Sequence, residues 1–148
     1  MLTYKKIYKK KIILAADHAG FKLKEEIKKF LSEKNNETID LGTKNSTSVD
    51  YPDYAHLLSK KLKKNGQFGI LICGSGMGMI MAANKHKNIR AALCYDLKST
   101  KLSRQHNNAN VIAIGARLTK KNVALKCVNK FINTNFLGGK HLRRVKKI

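Results

Sequence analysis

The chain has no tryptophan, a single proline and only nine acidic residues among 148. Its three cysteines, Cys73, Cys94 and Cys127, are an odd number without the spacing of a zinc site, which favours reduced thiols over a disulfide framework. No apolar run approaches the roughly 20 residues of a membrane-spanning helix. The first residues, MLTYKKIYKKK, lack the apolar stretch of a secretory signal. We therefore expect a soluble, cytoplasmic protein with one ordinary domain.

The scarcity of acidic residues leaves a net charge of +22. Nucleic-acid sites use arginine for bidentate contacts and aromatic rings for stacking, but most of the basic residues here are lysines spread along the chain. The charge therefore predicts weak, salt-sensitive polyanion binding and no dedicated nucleic-acid site. A nucleic-acid-binding protein remains an alternative from a different functional class. The few arginines are Arg90, Arg104, Arg117, Arg143 and Arg144.

Short apolar runs alternate with segments of helical periodicity, which indicates an α/β protein. The runs at 12–16, 38–41, 68–73, 89–94 and 111–114 predict five strands. Helices are predicted at 21–34, from 51 to about 66, at 78–86 and 96–104, and from a cap at Thr119 to about 134. This alternation predicts a single doubly wound, Rossmann-like three-layer domain with a five-stranded parallel sheet. It would span residues 11–148, after a flexible basic lead-in at residues 1–10.

The segment with the clearest candidate catalytic and anion-binding groups is residues 68–81, FGILICGSGMGMIM. Its pattern predicts a buried strand, a tight loop and the start of a helix. Glycines at alternate positions allow a ligand to approach bare N–H groups at a helix amino terminus, where negative charge is favoured. Cys73 ends the strand, where this environment favours the thiolate, and Ser75 adds a hydroxyl. The P-loop pattern is absent. A dinucleotide site would need Gly or Ala at Met79, and a ligand-free turn is the ordinary alternative.

Polar side chains follow several predicted strands, where parallel sheets bind ligands. They are Asp17 and His18 after the first strand, Cys73 and Ser75 after the third, Asp96 after the fourth and Arg117 after the fifth. Each could instead be a helix cap or a surface residue. Because all lie at one edge of the predicted sheet, we expect a small anionic ligand there.

Six separated segments, in order from residue 11 to 145, resemble the ribose-5-phosphate isomerase B family, within the group that includes galactose-6-phosphate isomerase subunits. They are ADHAGFKLK, DYPDYA, ILICGSGMG followed by AANK, LSRQHNNANV, IGAR and GGKHLRRV. The resemblance implies an aldose-ketose isomerase of the pentose phosphate pathway that interconverts D-ribose 5-phosphate and D-ribulose 5-phosphate through an enediolate, without metal or cofactor. A six-carbon phosphosugar, allose 6-phosphate or galactose 6-phosphate, is the alternative substrate.

The resemblance also implies the catalytic roles. Cys73 would be the base that moves the proton, and Ser75 would assist proton exchange between the enediolate oxygens. His106 matches a ring-opening acid/base, and Asp17 a sugar-contacting or ring-opening residue. One branch of the family uses a Glu base just after the loop, but that position here is Met79. The enediolate oxygens would be held by the backbone N–H groups of Gly74, Gly76, Met77 and Gly78.

The remaining implied residues bind the substrate. Asn107 matches a residue that hydrogen-bonds the sugar, and Tyr51 one that lines the site. The phosphate would be held by His18, Arg117, Lys140 and Arg144, with Lys140 standing where the family usually has Arg. The family forms homodimers, some paired into tetramers, with sites between subunits. On that picture His106 and Arg117 reach Cys73 from the opposite chain.

Overall fold

A computed structural model describes residues 10–63 and 65–148 of the chain. The expected lead-in lies outside this part, except for Lys10, which hydrogen-bonds the carbonyl of Ile132. The described strands are β1 (Lys11–Ala16), β2 (Glu37–Asp40), β3 (Phe68–Cys73), β4 (Ala91–Leu93) and β5 (Val111–Gly115). The described helices are α1 (Phe21–Glu33), α2 (Tyr51–Lys61), α3 (Met77–Ala83), α4 (Leu97–Asn107), α5 (Lys121–Asn133) and α6 (Lys140–Val145).

The five described strands form one sheet in the order β2-β1-β3-β5-β4, and every pairing is parallel. The chain leaves β1 toward one edge of the sheet to form β2, and then returns to place β3 on the other side of β1. The connections that follow β1 and β3 therefore diverge. Such a switch point opens a crevice beyond the carboxyl ends of the two strands, where α/β sheets bind their ligands.

Helices cover both faces of this sheet, as the uninterrupted apolar strands predict. Because side chains alternate along a strand, Ile12 and Leu14 of β1 point into the core shared with α1 and α5. Ile13 and Ala15 point into the opposite core, shared with α2 and α3. Helix α4 packs against α5. The predicted doubly wound, three-layer fold is confirmed.

The three cysteines are free, as expected, and all three are buried. Cys94 and Cys127 lie in the core on the α1 and α5 side of the sheet. Burial raises the pKa of both of these thiols, so they remain neutral. Cys73 ends β3 and lies in the opposite core layer, on the side of α2 and α3.

Helices α2 and α3 end earlier than their sequence patterns predict. Helix α2 stops at Lys61, rather than near residue 66, because Asn88 donates hydrogen bonds from its side chain to the carbonyls of Ser59 and Leu62. Helix α3 stops at Ala83, rather than at residue 86. The side chain of Asn84 exchanges two hydrogen bonds with the backbone of Ala91 in β4. Side-chain hydrogen bonds to another segment of the chain therefore accompany both ends.

The carboxyl-terminal third also departs from the predicted boundaries. Helix α4 extends to Asn107 and ends at Asn108, whose φ of 47° is left-handed. Thr119 is not the cap of α5, which begins after Lys120 without a side-chain capping bond. After a glycine break at 138–139, the basic tail forms helix α6, which the sequence pattern does not predict. This helix packs against α4.

Candidate active site

The glycine loop between β3 and α3 is built so tightly that side chains are excluded from it. Gly76 caps α3 with a left-handed φ of 78°, and a Cβ added there would lie 2.6 Å from a methyl group of Leu93. The loop also presses on β5, because a Cβ on Gly115 would lie 2.5 Å from the carbonyl oxygen of Ser75. Conformation and space both require glycine at position 76.

Cys73 lies at the bottom of this loop, with its side chain 4% exposed. Its sulfur accepts a hydrogen bond from the backbone N–H of Gly76, with 3.1 Å between nitrogen and sulfur. The Ser75 hydroxyl accepts from the N–H of Met77 at 3.3 Å. A backbone donor aimed at sulfur suits a thiolate, because hydrogen bonds to an ionised acceptor are stronger than those to a neutral one.

The turn after β1 brings Asp17 to the same edge. Oδ1 of Asp17 accepts a hydrogen bond from the N–H of Gly20 at 3.0 Å, and the backbone N–H of Asp17 donates to the carbonyl of Ile72. A Cβ on Gly20 would lie 2.4 Å from that same carbonyl oxygen. The turn is therefore in direct contact with the end of β3, one residue before Cys73.

The ring of His18 is oriented by the segment that precedes α2. Its Nδ1 accepts a hydrogen bond from the backbone N–H of Val49, at 3.2 Å. An imidazole nitrogen that accepts a hydrogen bond carries no proton, so the proton of the neutral ring lies on Nε2. This tautomer presents His18 as a donor, which suits a phosphate oxygen.

Tyr51 and Arg117 border the two ends of the loop. A Cβ on Gly78 would lie 2.4 Å from the ring of Tyr51 and 2.8 Å from its hydroxyl oxygen. A Cβ on Gly74 would lie 3.1 Å from a terminal guanidinium nitrogen of Arg117, whose backbone N–H donates to the Gly74 carbonyl. Arg117 therefore lies beside the loop of its own chain, and the expectation that it comes from the opposite chain is wrong.

We call these residues the loop cluster: Asp17, His18, Tyr51, Cys73, Gly74, Ser75, Gly76, Met77, Gly78 and Arg117. Asp96, also predicted at this edge, has the ordinary role of a helix cap. Its carboxylate accepts from the N–H of Ser99 at 2.6 Å, and this hydrogen bond lowers its pKa. The dinucleotide interpretation, in which Asp96 binds a ribose, gains no support from that geometry.

His106 and Asn107 lie at the far end of α4 from the loop cluster. Helix α4 starts directly after Asp96, at the carboxyl edge, and runs back along the sheet to the residues that lead into β5. Its 11 residues span about 16 Å at the rise of an α-helix. A single chain therefore does not bring His106 to Cys73.

Helix α6 joins His106 at that opposite edge. The rings of His106 and His141 stack with centroids 4.2 Å apart and an angle of 8° between planes. Desolvation, followed by the positive charge of His106, Lys140 and Arg144, lowers the pKa of His141. We call these residues the histidine cluster: His106, Asn107, Lys140, His141 and Arg144. Sequence reasoning did not single out His141, although it lies within the GGKHLRRV segment.

Within the described residues, no group of three or more His, Cys, Asp or Glu side chains is arranged to hold a metal ion. None of the helices in this part of the chain has both the length and the apolar character needed to cross a bilayer.

Comparison with known proteins gives a consistent match. The family described as Ribose/Galactose Isomerase matches residues 12–148. Ribose-5-phosphate isomerase B of Escherichia coli (strain K12) is 43% identical over 141 residues, which cover 94% of each chain. The structure of ribose 5-phosphate isomerase B from Anaplasma phagocytophilum has a TM-score of 0.90 and 44% identity, covering 94% of this chain and 96% of that one. The Mycoplasma genitalium enzyme, crystallised with bound ribulose-5-phosphate, has a TM-score of 0.89 and 43% identity, covering 93% and 92%.

Proposed function

The chain belongs to the ribose/galactose isomerase family and interconverts D-ribose 5-phosphate and D-ribulose 5-phosphate; we propose that residues 11–148 do so at the loop cluster, with Cys73 as the base. The observation that carries this proposal is the position of the Cys73 thiol. It lies at the switch point of the sheet, 3.1 Å from a backbone donor, at the base of a loop that Tyr51 and Arg117 border.

Isomerisation moves a proton between C2 and C1 of the open-chain sugar. The Cys73 thiolate removes the proton from C2 of the aldose, which leaves an enediolate, and the resulting thiol returns a proton to C1 to give the ketose. The hydroxyl proton passes between O1 and O2, with the Ser75 hydroxyl assisting. One group can act as base and then as acid because the two carbons are neighbours. The contact from Gly76 stabilises the sulfur when it carries charge.

The enediolate needs donors near its oxygens. The N–H of Gly76 is directed at the Cys73 sulfur, so it supports the base rather than the substrate. The first-turn amides of a helix have no partner within the helix, and in α3 these include the N–H groups of Met77 and Gly78. The N–H of Met77 donates to the Ser75 hydroxyl at 3.3 Å, a contact that a substrate oxygen would replace. Together with the N–H of Gly74, those of Met77 and Gly78 are the donors that we assign to the developing oxyanion.

The separation of the two clusters supports a homodimer with shared sites. The ring-opening role implied for His106 requires it to reach the sugar at Cys73, yet α4 carries it to the other edge of its own chain. A second copy related by a two-fold axis would bring its histidine cluster to the loop cluster of the first, and the reverse. Each dimer would then hold two equivalent sites, while the loop cluster supplies Arg117 from the same chain as Cys73.

The surface around the loop cluster is suited to such a partner. Several large apolar side chains near it are exposed, including Met81 at 69%, Leu118 at 68% and Tyr95 at 61%. An exposed apolar patch at this position favours contact with another protein surface. The neighbouring strand β4 is only three residues long and forms an edge of the sheet. A second copy seated here would cover the patch.

The phosphate would be bound by groups from both chains. His18 would donate from Nε2 and Arg117 would contribute its guanidinium, while Lys140 and Arg144 would come from the partner. Lys140 supplies a point charge where the related enzymes usually have a planar fork, so Arg117 and Arg144 would carry the bidentate contacts. We assign the reaction to the cytoplasm, which three free thiols support because such thiols persist in reducing compartments.

The test is a coupled assay of ribose 5-phosphate isomerisation in the presence of a chelator, comparing the wild type with Cys73→Ala. Removing a general base should lower kcat by about 10³-fold, while the unfolding temperature stays close to that of the wild type. Cys127→Ala is the control, because that thiol is buried in the opposite core layer. Turnover by Cys73→Ala at the rate of the control would remove Cys73 from the mechanism.

A further inference from the structure

The most unusual buried group outside the loop cluster is the ammonium of Lys24. Its side chain is 1% exposed, although lysine is almost never fully buried without a partner. Nζ of Lys24 lies 2.6 Å from Oδ2 of Asp40 and 3.0 Å from Oε1 of Glu25. The mechanism above makes no use of this charge, so its position in the first turns of α1 requires another explanation.

Asp40, at the end of β2, is the centre of this group. Its Oδ2 also accepts from Nζ of Lys28 at 2.6 Å, while its Oδ1 accepts from the backbone N–H of Gly42 at 2.9 Å. Burial opposes ionisation of Asp40, but the hydrogen bonds from Lys24 and Lys28 outweigh it and lower the pKa of the carboxyl. Two ammonium groups and two carboxylates thus form a neutral network in a chain of net charge +22.

The hydrogen bond from Gly42 connects this network to the turn after β1. The carbonyl of Gly42 accepts from the N–H of Ala16, and the N–H of Thr43 donates to the carbonyl of Ala16, both at 2.7 Å. Ala16 is the residue before Asp17 and His18. Asp40 therefore fixes the start of the segment 42–49 directly against the backbone that leads into the loop cluster.

The other end of the same segment holds His18. The backbone N–H of Val49 donates to Nδ1 of His18 at 3.2 Å, which selects the tautomer with the proton on Nε2. Most of the residues between Thr43 and Val49 are exposed. The segment thus depends on its two anchored ends, the one at Asp40 and Ala16 and the one at His18.

We propose that Asp40, held by Lys24 and Lys28, is a positioning residue that sets the orientation of His18 through the segment 42–49. The proposal rests on the proposed function in one respect, the assignment of His18 to the substrate phosphate. Asp40 itself does not touch the substrate. Its effect passes through Gly42 and the Val49 N–H to the His18 ring, and therefore acts on substrate binding rather than on proton transfer at Cys73.

The informative variant is Asp40→Asn, which removes the charge that holds the two lysines and, with it, the ion pairs that direct this side chain toward the N–H of Gly42. The loosened segment should weaken the oriented hydrogen bond between His18 and the phosphate and raise KM for ribose 5-phosphate by about 3- to 10-fold, with kcat within about twofold of the wild type, because uniform binding is weakened. Glu26→Gln is the matched control. It makes the same carboxylate-to-amide change on α1 in an exposed pair with Lys121 and should leave KM unchanged.

A double-mutant cycle with His18→Ala separates positioning from general loss of structure. His18→Ala alone should raise KM by about 10-fold or more, as expected for a hydrogen bond to a charged group. If Asp40 acts through His18, adding Asp40→Asn to His18→Ala should raise KM no further. If Asp40→Asn does not fold, Lys28→Met removes the half-exposed ammonium from the same carboxylate and is tested in the same cycle.

The results separate the positioning role of Asp40 from the assignment of His18 to the phosphate. A rise in KM with Asp40→Asn that disappears in the His18→Ala background supports the proposal. A rise that persists in that background, or a loss of thermal stability with KM unchanged, overturns it and leaves Asp40 with a purely structural role. If His18→Ala itself leaves KM unchanged, the phosphate assignment of His18 fails, and the positioning role fails with it.

Discussion

The two edges of the sheet each carry a cluster of candidate site residues, but the two clusters are held in place in different ways. At the carboxyl edge, much of the loop cluster lies in the turns that directly follow β1, β3 and β5. Tight turns such as the one at Gly76 therefore fix the positions of its backbone. At the opposite edge, the histidine cluster comes from the end of one helix and the short helix packed against it. The first edge is anchored by neighbouring strands, whereas the second is held by the packing of α6 against α4, which includes the stacked rings of His106 and His141.

This difference suggests a division of labour. Proton transfer at carbon needs the base placed within a fraction of an ångström, which a strand end and a glycine turn provide. Ring opening and phosphate binding tolerate more adjustment, and groups from a second chain can provide them. The catalytic constellation therefore combines a rigid half and an adaptable half, one from each edge.

The largest expected effect comes from adding a single methyl group to the glycine loop in the rigid half of the site. Gly76→Ala forces a side chain onto a φ of 78° and places Cβ 2.6 Å from a methyl of Leu93. The conformation alone costs about 1–3 kcal/mol, and the shift of the loop should displace the Gly76 N–H from the Cys73 sulfur. We expect kcat to fall by at least about 10-fold, as for loss of a contact that positions a catalytic group.

Gly66→Ala is the matched control for this change. Gly66 has a similar φ of 84°, but a Cβ there would meet no atom within 4 Å. It should lose stability in denaturant unfolding through backbone strain alone, with kcat unchanged. Equal kcat in the two variants would show that the tightness of the loop at Gly76 has no bearing on catalysis.

The smallest expected effect is a pH dependence of folding stability that arises from His141 in the adaptable half. The pKa of His141 is lowered by desolvation and then by the charges of His106, Lys140 and Arg144, so the folded chain binds this proton less readily than the unfolded chain. Stability should therefore be fully present above the ordinary histidine pKa, about 6.5, and decline as the pH falls below it. His86 acts in the same direction through desolvation and its neighbours His56 and Lys60.

Unfolding temperatures of the wild type, measured at one pH above the ordinary histidine pKa and at one pH below it, check this prediction. His141→Gln should flatten the dependence on pH by removing one of the two contributions, and His86→Gln should remove the other. A wild-type unfolding temperature that is the same at both pH values, or a slope unchanged in both variants, would contradict it.

The sheet could be predicted from the sequence because its information is local. The apolar runs of β1, β3 and β5 are buried on both faces, and their composition alone distinguishes them from helices. Helix ends were predicted less well, since the early stop of α2 depends on Asn88, more than 20 residues away. A distant side chain that caps a helix leaves no mark on the helix's own sequence.

The positions of some candidate site residues could also be predicted from the sequence, whereas others depend on tertiary structure. Asp17, His18, Cys73 and the glycine loop could be placed together because the carboxyl ends of parallel strands share one edge. The remoteness of His106 within one chain follows from the length and direction of α4. The position of Arg117 beside Gly74 depends on the register of β5 against β3, in which Gly115 pairs with Cys73. That register is a tertiary property, so the resemblance gave the wrong chain for Arg117.

The central claim is that a complete site combines the two edges from different chains, and subunit mixing tests it most directly. Cys73→Ala and His106→Ala would each be assayed alone, and again after the two are mixed under conditions that exchange subunits. Each alone should be nearly inactive. Random pairing makes half of the dimers mixed, each with one intact site, so activity should return to about a quarter of the wild-type value. Mixed dimers confirmed by mass spectrometry that show no recovery would contradict the account.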